Sequence, residues 1–190
     1  MEFGPRALGN RSILADARNP EMQKNLNLKI KFRESFRPFA PVVIFEQQLN
    51  WFDSEIPSPY MLFTYNIKKE LQINTNENTK LISDKINQKR SKIPAVTHVD
   101  YSARVQSIKE NSNKKLYDLI DSFYKKTNCP VLINTSFNIR GEPIVCKIDD
   151  ALDCFFGTNI DYLICENFII DKKKQNNSFD TDYLGKFQLD

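Results

Sequence analysis

The sequence predicts an α/β domain built on a mixed sheet with flanking helices, and three observations carry that expectation. Two short runs, A-P-V-V-I-F (40–45) and P-V-L-I-N (130–134), are apolar without alternation and read as buried strands. Between them, residues 112–127 place Leu116, Leu119, Ile120 and Phe123 at i, i+3, i+4 and i+7, the spacing of an amphipathic helix. The chain has 190 residues, 41% hydrophobic and 27% charged, which suits one domain with a real core.

The elements follow in order. Pro20 after Asn19 is a helix-start signal, and P-E-M-Q-K-N-L-N-L-K-I-K carries a short helix toward a basic stretch. A strand follows at 40–45 and another in Y-M-L-F-T-Y-N-I (60–67). From about Leu71 to Lys92 the composition turns to Asn, Lys, Thr and Ser, the signature of a surface excursion. I-P-A-V-T-H-V-D and A-R-V-Q-S-I read as two short strands joined at a turn. The 112–127 helix ends on Lys125 and Lys126, which suit the negative end of its dipole. P-V-L-I-N-T-S-F-N is a buried strand that runs straight into polar residues. A helix at 149–157 places Ala151, Leu152, Phe155 and Phe156 on one side, and strands at 161–165 and 168–170 close the domain. The domain is therefore expected over 1–170, with a polar, loosely held tail over 171–190.

Charge and cysteine content exclude several functions. Net charge is +3 and the pI is near 8.6, so the cations matter through placement and argue against a dedicated nucleic-acid binder. Cys129, Cys146, Cys154 and Cys165 form no C-x-x-C pair and His98 is the single histidine, so no zinc site is expected and the cysteines read as reduced core residues. Nothing resembles a signal peptide and no apolar run is long enough to cross a bilayer, which predicts a cytoplasmic location.

Three polar clusters sit beside apolar strands. F-G-P-R-A-L-G-N-R-S (3–12) brings Arg6 and Arg11 together with two glycines that let the backbone approach a ligand. K-I-K-F-R-E-S-F-R-P-F-A-P (29–41) holds Lys31, Arg33 and Arg37 among phenylalanines. N-T-S-F-N (134–138) puts Asn134 and Ser136 on one face of an extended segment. His98 and Arg104 lie in the segment H-V-D-Y-S-A-R. Guanidinium forks, a lysine and small polar groups suit a polyphosphate, with phenylalanines excluding water. The same residues also fit a basic surface strip whose aromatics pack inward while the cations reach solvent. Neither a P-loop nor a G-x-G-x-x-G fingerprint is present. His98 is equally a ligand contact or a hydrogen-bonded strand histidine, Glu34 is read as an ion-pair partner, and Glu142 as a turn residue. Lys172 to Lys174 read as a solvated run.

Four long motifs in order, M-E-F-G-P-R-A-L-G-N-R-S-I-L-A-D, K-F-R-E-S-F-R-P-F-A-P, P-A-V-T-H-V-D-Y-S-A-R-V-Q and P-V-L-I-N-T-S-F-N-I-R-G-E-P-I-V, resemble the C-terminal domain of the O-carbamoyltransferases. The resemblance implies a YrdC-like fold with a basic cavity that takes ATP and carbamoyl phosphate and forms carbamoyl adenylate. It implies Lys31, Arg37 and Arg104 at the reacting phosphates, with Arg6, Arg11, Arg33, His98, Asn134 and Ser136 around the nucleotide and carbamoyl phosphate. Magnesium is expected with ATP. The carbamoyl acceptor and a histidine-bound iron are implied for a separate N-terminal transferase domain, the expected partner. This chain begins inside the first motif, so that domain and an upstream strand are expected outside it. Tyr101 stands where the family usually has glycine, a change expected to narrow the cavity or alter the turn. The alternative function is a non-catalytic basic module that binds RNA or positions a partner domain.

Overall fold

The computed structural model describes residues 6–76, 81–175 and 183–187. The elements are β1 (Ser12–Asp16), α1 (Met22–Lys29), β2 (Ala40–Ile44), α2 (Phe45–Trp51), β3 (Thr64–Asn66), α3 (Ile82–Ile86) and β4 (Ser102–Arg104). They continue with β5 (Gln106–Ile108), α4 (Lys114–Thr127), β6 (Val131–Ser136), α5 (Ile148–Gly157), β7 (Tyr162–Cys165) and β8 (Phe168–Asp171). This is the expected α/β class with a mixed sheet.

The main sheet has the order β1-β6-β2-β5. β6 runs antiparallel to both its neighbours, and β2 pairs in parallel with β5. β2 and the first half of β6 are covered on both faces, which explains their unbroken apolar runs. On one face Val42, Ile44, Ile108 and Leu132 pack against Leu116 and Ile120 of α4. On the other, Val43, Val131, Ile133 and Ile13 join the larger core with Leu26 and Ile30 near α1 and Ala151, Cys154 and Phe155 of α5.

α4 starts where the Asn113 side chain accepts from the Leu116 amide (3.2 Å) and ends at Asn128, whose φ of 55° breaks the helix. Its register differs from the expected one. Leu116 and Ile120 are buried, whereas Leu119 is 43% exposed, because the sheet contacts a narrower stripe than four apolar positions span.

Several local expectations need correction. The 60–67 strand contracts to Thr64–Asn66, and Pro94–Val96 forms a 3-10 turn where a strand was expected. The 71–92 excursion holds α3 and is tied down by the buried Arg90 and Ser91; its residues 77–80 lie outside the described residues. Cys129 and Cys154 are core residues, but Cys146 is exposed and Cys165 only partly covered. Lys172 is no free surface cation: its ammonium donates to the carbonyls of Phe155 and Thr158, capping α5. In the 171–190 segment, Tyr183 is buried against Gly157. No described helix is long and apolar enough to cross a membrane.

Candidate functional site

Strand direction gathers the three polar clusters. β6 ends at Asn134–Ser136, and β1 and β2, antiparallel to it, begin at that same edge: Ser12 pairs with Ser136, and Ala40 with Asn134. β5, parallel to β2, also begins there, with Arg104 of β4 just before it. Segments distant in sequence therefore meet along one edge of the sheet.

Two adjoining recesses open at this edge. One, of about 370 Å3, is lined by Lys31, Arg33, Arg37, Ser136, Asn138 and the 139–143 loop. The other, of about 330 Å3, is lined by Arg6, Arg33, Arg37, Phe39, Met61, Arg104, Asn134 and Ser136, among others. Arg33, Arg37 and Ser136 belong to both.

The basic stretch is shaped from α1. Asn27, fully buried, donates to the carbonyls of Ser35 (3.1 Å) and Arg37 (2.8 Å), and its oxygen accepts from Arg33 Nε (2.7 Å). Arg33 lies over the Phe39 ring (4.9 Å), and Phe39 is itself buried beneath. Phe32 packs partly on the core, with a φ of 48°, and Phe36 is exposed. The phenylalanines thus divide between core anchor and surface, while Arg33 and Arg37 face the recesses.

Lys31 is 4% exposed, and its ammonium donates to Ser136 O, Asn138 O (2.8 Å) and Asn138 Oδ1 (2.9 Å). Burial, with Arg33 adding repulsion, pushes it down to about 7. Burial and then Arg37 push Arg33 down to about 10, and burial followed by Arg6 lowers Arg104. Such crowding of like charge is relieved by an anion. Glu34 offsets it only at the exposed rim, 4.0 Å from Arg37 and 3.8 Å from Arg140.

The first motif is held by a buried amide relay. Asn134 Nδ2 donates to Gln106 Oε1 (2.6 Å), and Gln106 Nε2 donates to Leu8 O (3.1 Å). Gly9 follows with a φ of 96°, and a Cβ there would overlap the Leu116 side chain, so only glycine fits this turn.

The remaining sequence candidates lie elsewhere. Arg11 donates to Val145 O (3.0 Å) and lines neither recess. His98 bonds through Nδ1 to Ser102 Oγ (3.1 Å), and burial outweighs the opposing Asp100 and, with a smaller push from Arg104, lowers its pKa; it also lines neither recess. Tyr101 does not narrow the recesses. Its φ is 64°, a region where glycine is at ease, and its hydroxyl turns to Ile73 O and Thr75 Oγ1, both at 3.3 Å.

Sequence reading missed Asn27, Gln106, Asn138 and Arg140. The last two stand in the fourth motif, N-T-S-F-N-I-R-G-E, whose polar run was the available signal. Asn27 and Gln106 act through contacts across the fold and gave none.

Comparison with known proteins identifies the family. The family described as Carbamoyltransferase C-terminus matches residues 1–172. An uncharacterized protein of Synechocystis sp. is 50% identical over the whole of this chain, which covers 31% of that protein. Nodulation protein NolO of Bradyrhizobium diazoefficiens is 38% identical over 90% of this chain, covering 29% of its own length. Nodulation protein U of Sinorhizobium fredii is also 38% identical over 90% of this chain, covering 27% of its own length. The chain thus spans less than a third of the length of these curated relatives. On this match and these relatives, the chain belongs to the carbamoyltransferase C-terminus family.

Proposed function

We propose that this chain is the adenylating part of an O-carbamoyltransferase, converting ATP and carbamoyl phosphate into carbamoyl adenylate. The observation that carries the reading is the pair of adjoining recesses sharing Arg33, Arg37 and Ser136, with Arg6 and Arg104 in one and Arg140 in the other. Two neighbouring anionic molecules match such a shared seam.

Carbamoyl phosphate first loses its phosphoryl group to water, leaving carbamate and phosphate. A carbamate oxygen then forms a bond to the α-phosphorus of ATP, and the bond from that phosphorus to the bridging oxygen breaks to release pyrophosphate. Fixed guanidinium groups meet the charge that builds on the phosphate oxygens, so the protein contributes position and field and no nucleophile. Arg33 is pre-set for this by Asn27 and Phe39 and needs little reorganisation. Lys31, bonded to Ser136 and Asn138, shapes the seam and adds charge below it.

Magnesium enters as part of the nucleotide substrate. Glu142 is the carboxylate lining the recesses among the described residues, and its oxygens already accept from Tyr183 and the Ile139 amide (2.8 Å). The triphosphate and water therefore hold the ion.

The test is incubation of the chain with ATP, magnesium and carbamoyl phosphate, with pyrophosphate as the readout. Pyrophosphate that depends on carbamoyl phosphate, and is lost in Arg37→Ala and Arg104→Ala, is expected. ATP binding without pyrophosphate would refute the adenylation step. RNA retention with a steep salt dependence, and no ATP binding, would favour the basic-module alternative.

A further inference from the structure

We infer that Tyr183 is a positioning residue for the recess, holding the 137–143 loop in place through the Glu142 carboxylate; its effect on ligand rests on the function proposed above. Residues 183–187 lie beyond the segment matched by the family, and no step of the proposed chemistry uses them.

The contacts form one continuous relay. Tyr183, 3% exposed, donates its hydroxyl to Glu142 Oε1 inside the fold. Glu142 Oε2 accepts from the Ile139 amide (2.8 Å), and the Glu142 carbonyl accepts from Asn138 Nδ2 (2.6 Å). Asn138 Oδ1 in turn accepts from Ser136 Oγ (2.6 Å) and from Lys31. The far end of the relay is therefore the wall shared by both recesses, with Arg140 carried on the same loop.

The near end is seated by shape. The Tyr183 ring lies on the α5 terminus at Gly157, where a Cβ would overlap the ring, and Phe187 meets it edge-on at 5.4 Å between centroids. A buried carboxylate is costly unless its oxygens are bonded, and Tyr183 supplies one of the donors, beside the Ile139 amide and the Cys154 thiol. Removing it frees Glu142 to turn toward water or toward Lys31, and the Ile139 amide loses its acceptor. Burial and the Glu142 hydrogen bond both raise the Tyr183 pKa, so the phenol stays a donor at neutral pH.

Two variants test this on the full 190-residue chain. Tyr183→Phe removes only the hydroxyl, and Gly157→Ala presses a methyl into the ring, so each reaches the link by a different route. Amide hydrogen exchange is read at Ile139 and at Ile133 of β6, the latter reporting the intact fold. Both variants are expected to speed exchange at Ile139 about tenfold, the loss of one charge-assisted hydrogen bond, with Ile133 unchanged. ATP affinity by calorimetry is expected to fall about three- to tenfold. Tyr183→Phe combined with Glu142→Gln is expected to lose no more ATP affinity than Glu142→Gln alone, because both act on one link. Unchanged Ile139 exchange in both variants overturns the inference, as does faster exchange with unchanged ATP affinity or full additivity in the double variant. If the unaltered chain binds no ATP, the function proposed above fails, while faster Ile139 exchange still upholds the Tyr183 link.

Discussion

Replacing Asn134 by alanine tests how the recess and the fold share one support. Asn134 and Gln106 are each 2% exposed, and their contact is 2.6 Å, so neither group has water to fall back on. Asn134→Ala leaves Gln106 Oε1 buried without its donor, a loss of about 1–3 kcal/mol. For a chain of this size each kcal/mol lowers the melting temperature by about 2–4 °C, so a drop of about 2–12 °C is expected in a thermal melt. Asn134→Ala/Gln106→Leu removes both polar partners and is expected to recover part of that stability, because neither side-chain amide remains buried without its partner. The double variant also frees the Leu8 carbonyl, so ATP affinity should stay weak even as the melt recovers. A melt unmoved by Asn134→Ala, or ATP affinity restored along with stability, would refute the relay from β6 to the first motif.

Other expectations follow from the same contacts. Ile120→Ala should cost about 2–5 kcal/mol in urea unfolding and the half-exposed Leu119→Ala less than about 1.5, with equal costs refuting the α4 register. Lys31 carries its charge below about 7 and loses it above, so affinity for sulfate, whose own charge is constant, should fall as pH rises from about 6 to about 8; a flat calorimetric profile would remove Lys31 from the field of the recess. Tyr101→Gly should melt above Tyr101→Val, because a β-branched residue is strained at a φ of 64°; the reverse order would show that side-chain contacts dominate that turn. Finally, the chain given ATP, carbamoyl phosphate and a sugar alcohol should release pyrophosphate without carbamoylating the hydroxyl, and a carbamoylated product by mass spectrometry would contradict the division of labour.

The sequence by itself determined what is local. Unbroken apolar runs marked β2 and β6 because both faces of those strands are covered, and 3.6-residue spacing marked α4, whose Asn113 cap only the structure showed. The motif residues of the recess were legible because Arg, Lys, Asn and Ser beside strands are unusual in chemistry. Tertiary structure alone decided which of them meet. The antiparallel run of β6 against β1 and β2 brings Arg6, Arg33, Arg37, Arg104 and Ser136 to one edge, whereas Arg11 and His98, equally polar in sequence, turn to Val145 and Ser102. Which apolar face of α4 is buried, and that Asn27 braces the basic stretch, depended on contacts between distant segments. Periodicity fixes which residues share a face but not how wide a stripe the neighbouring sheet covers, and a side-chain amide carries no sign in sequence of the carbonyls it will bind.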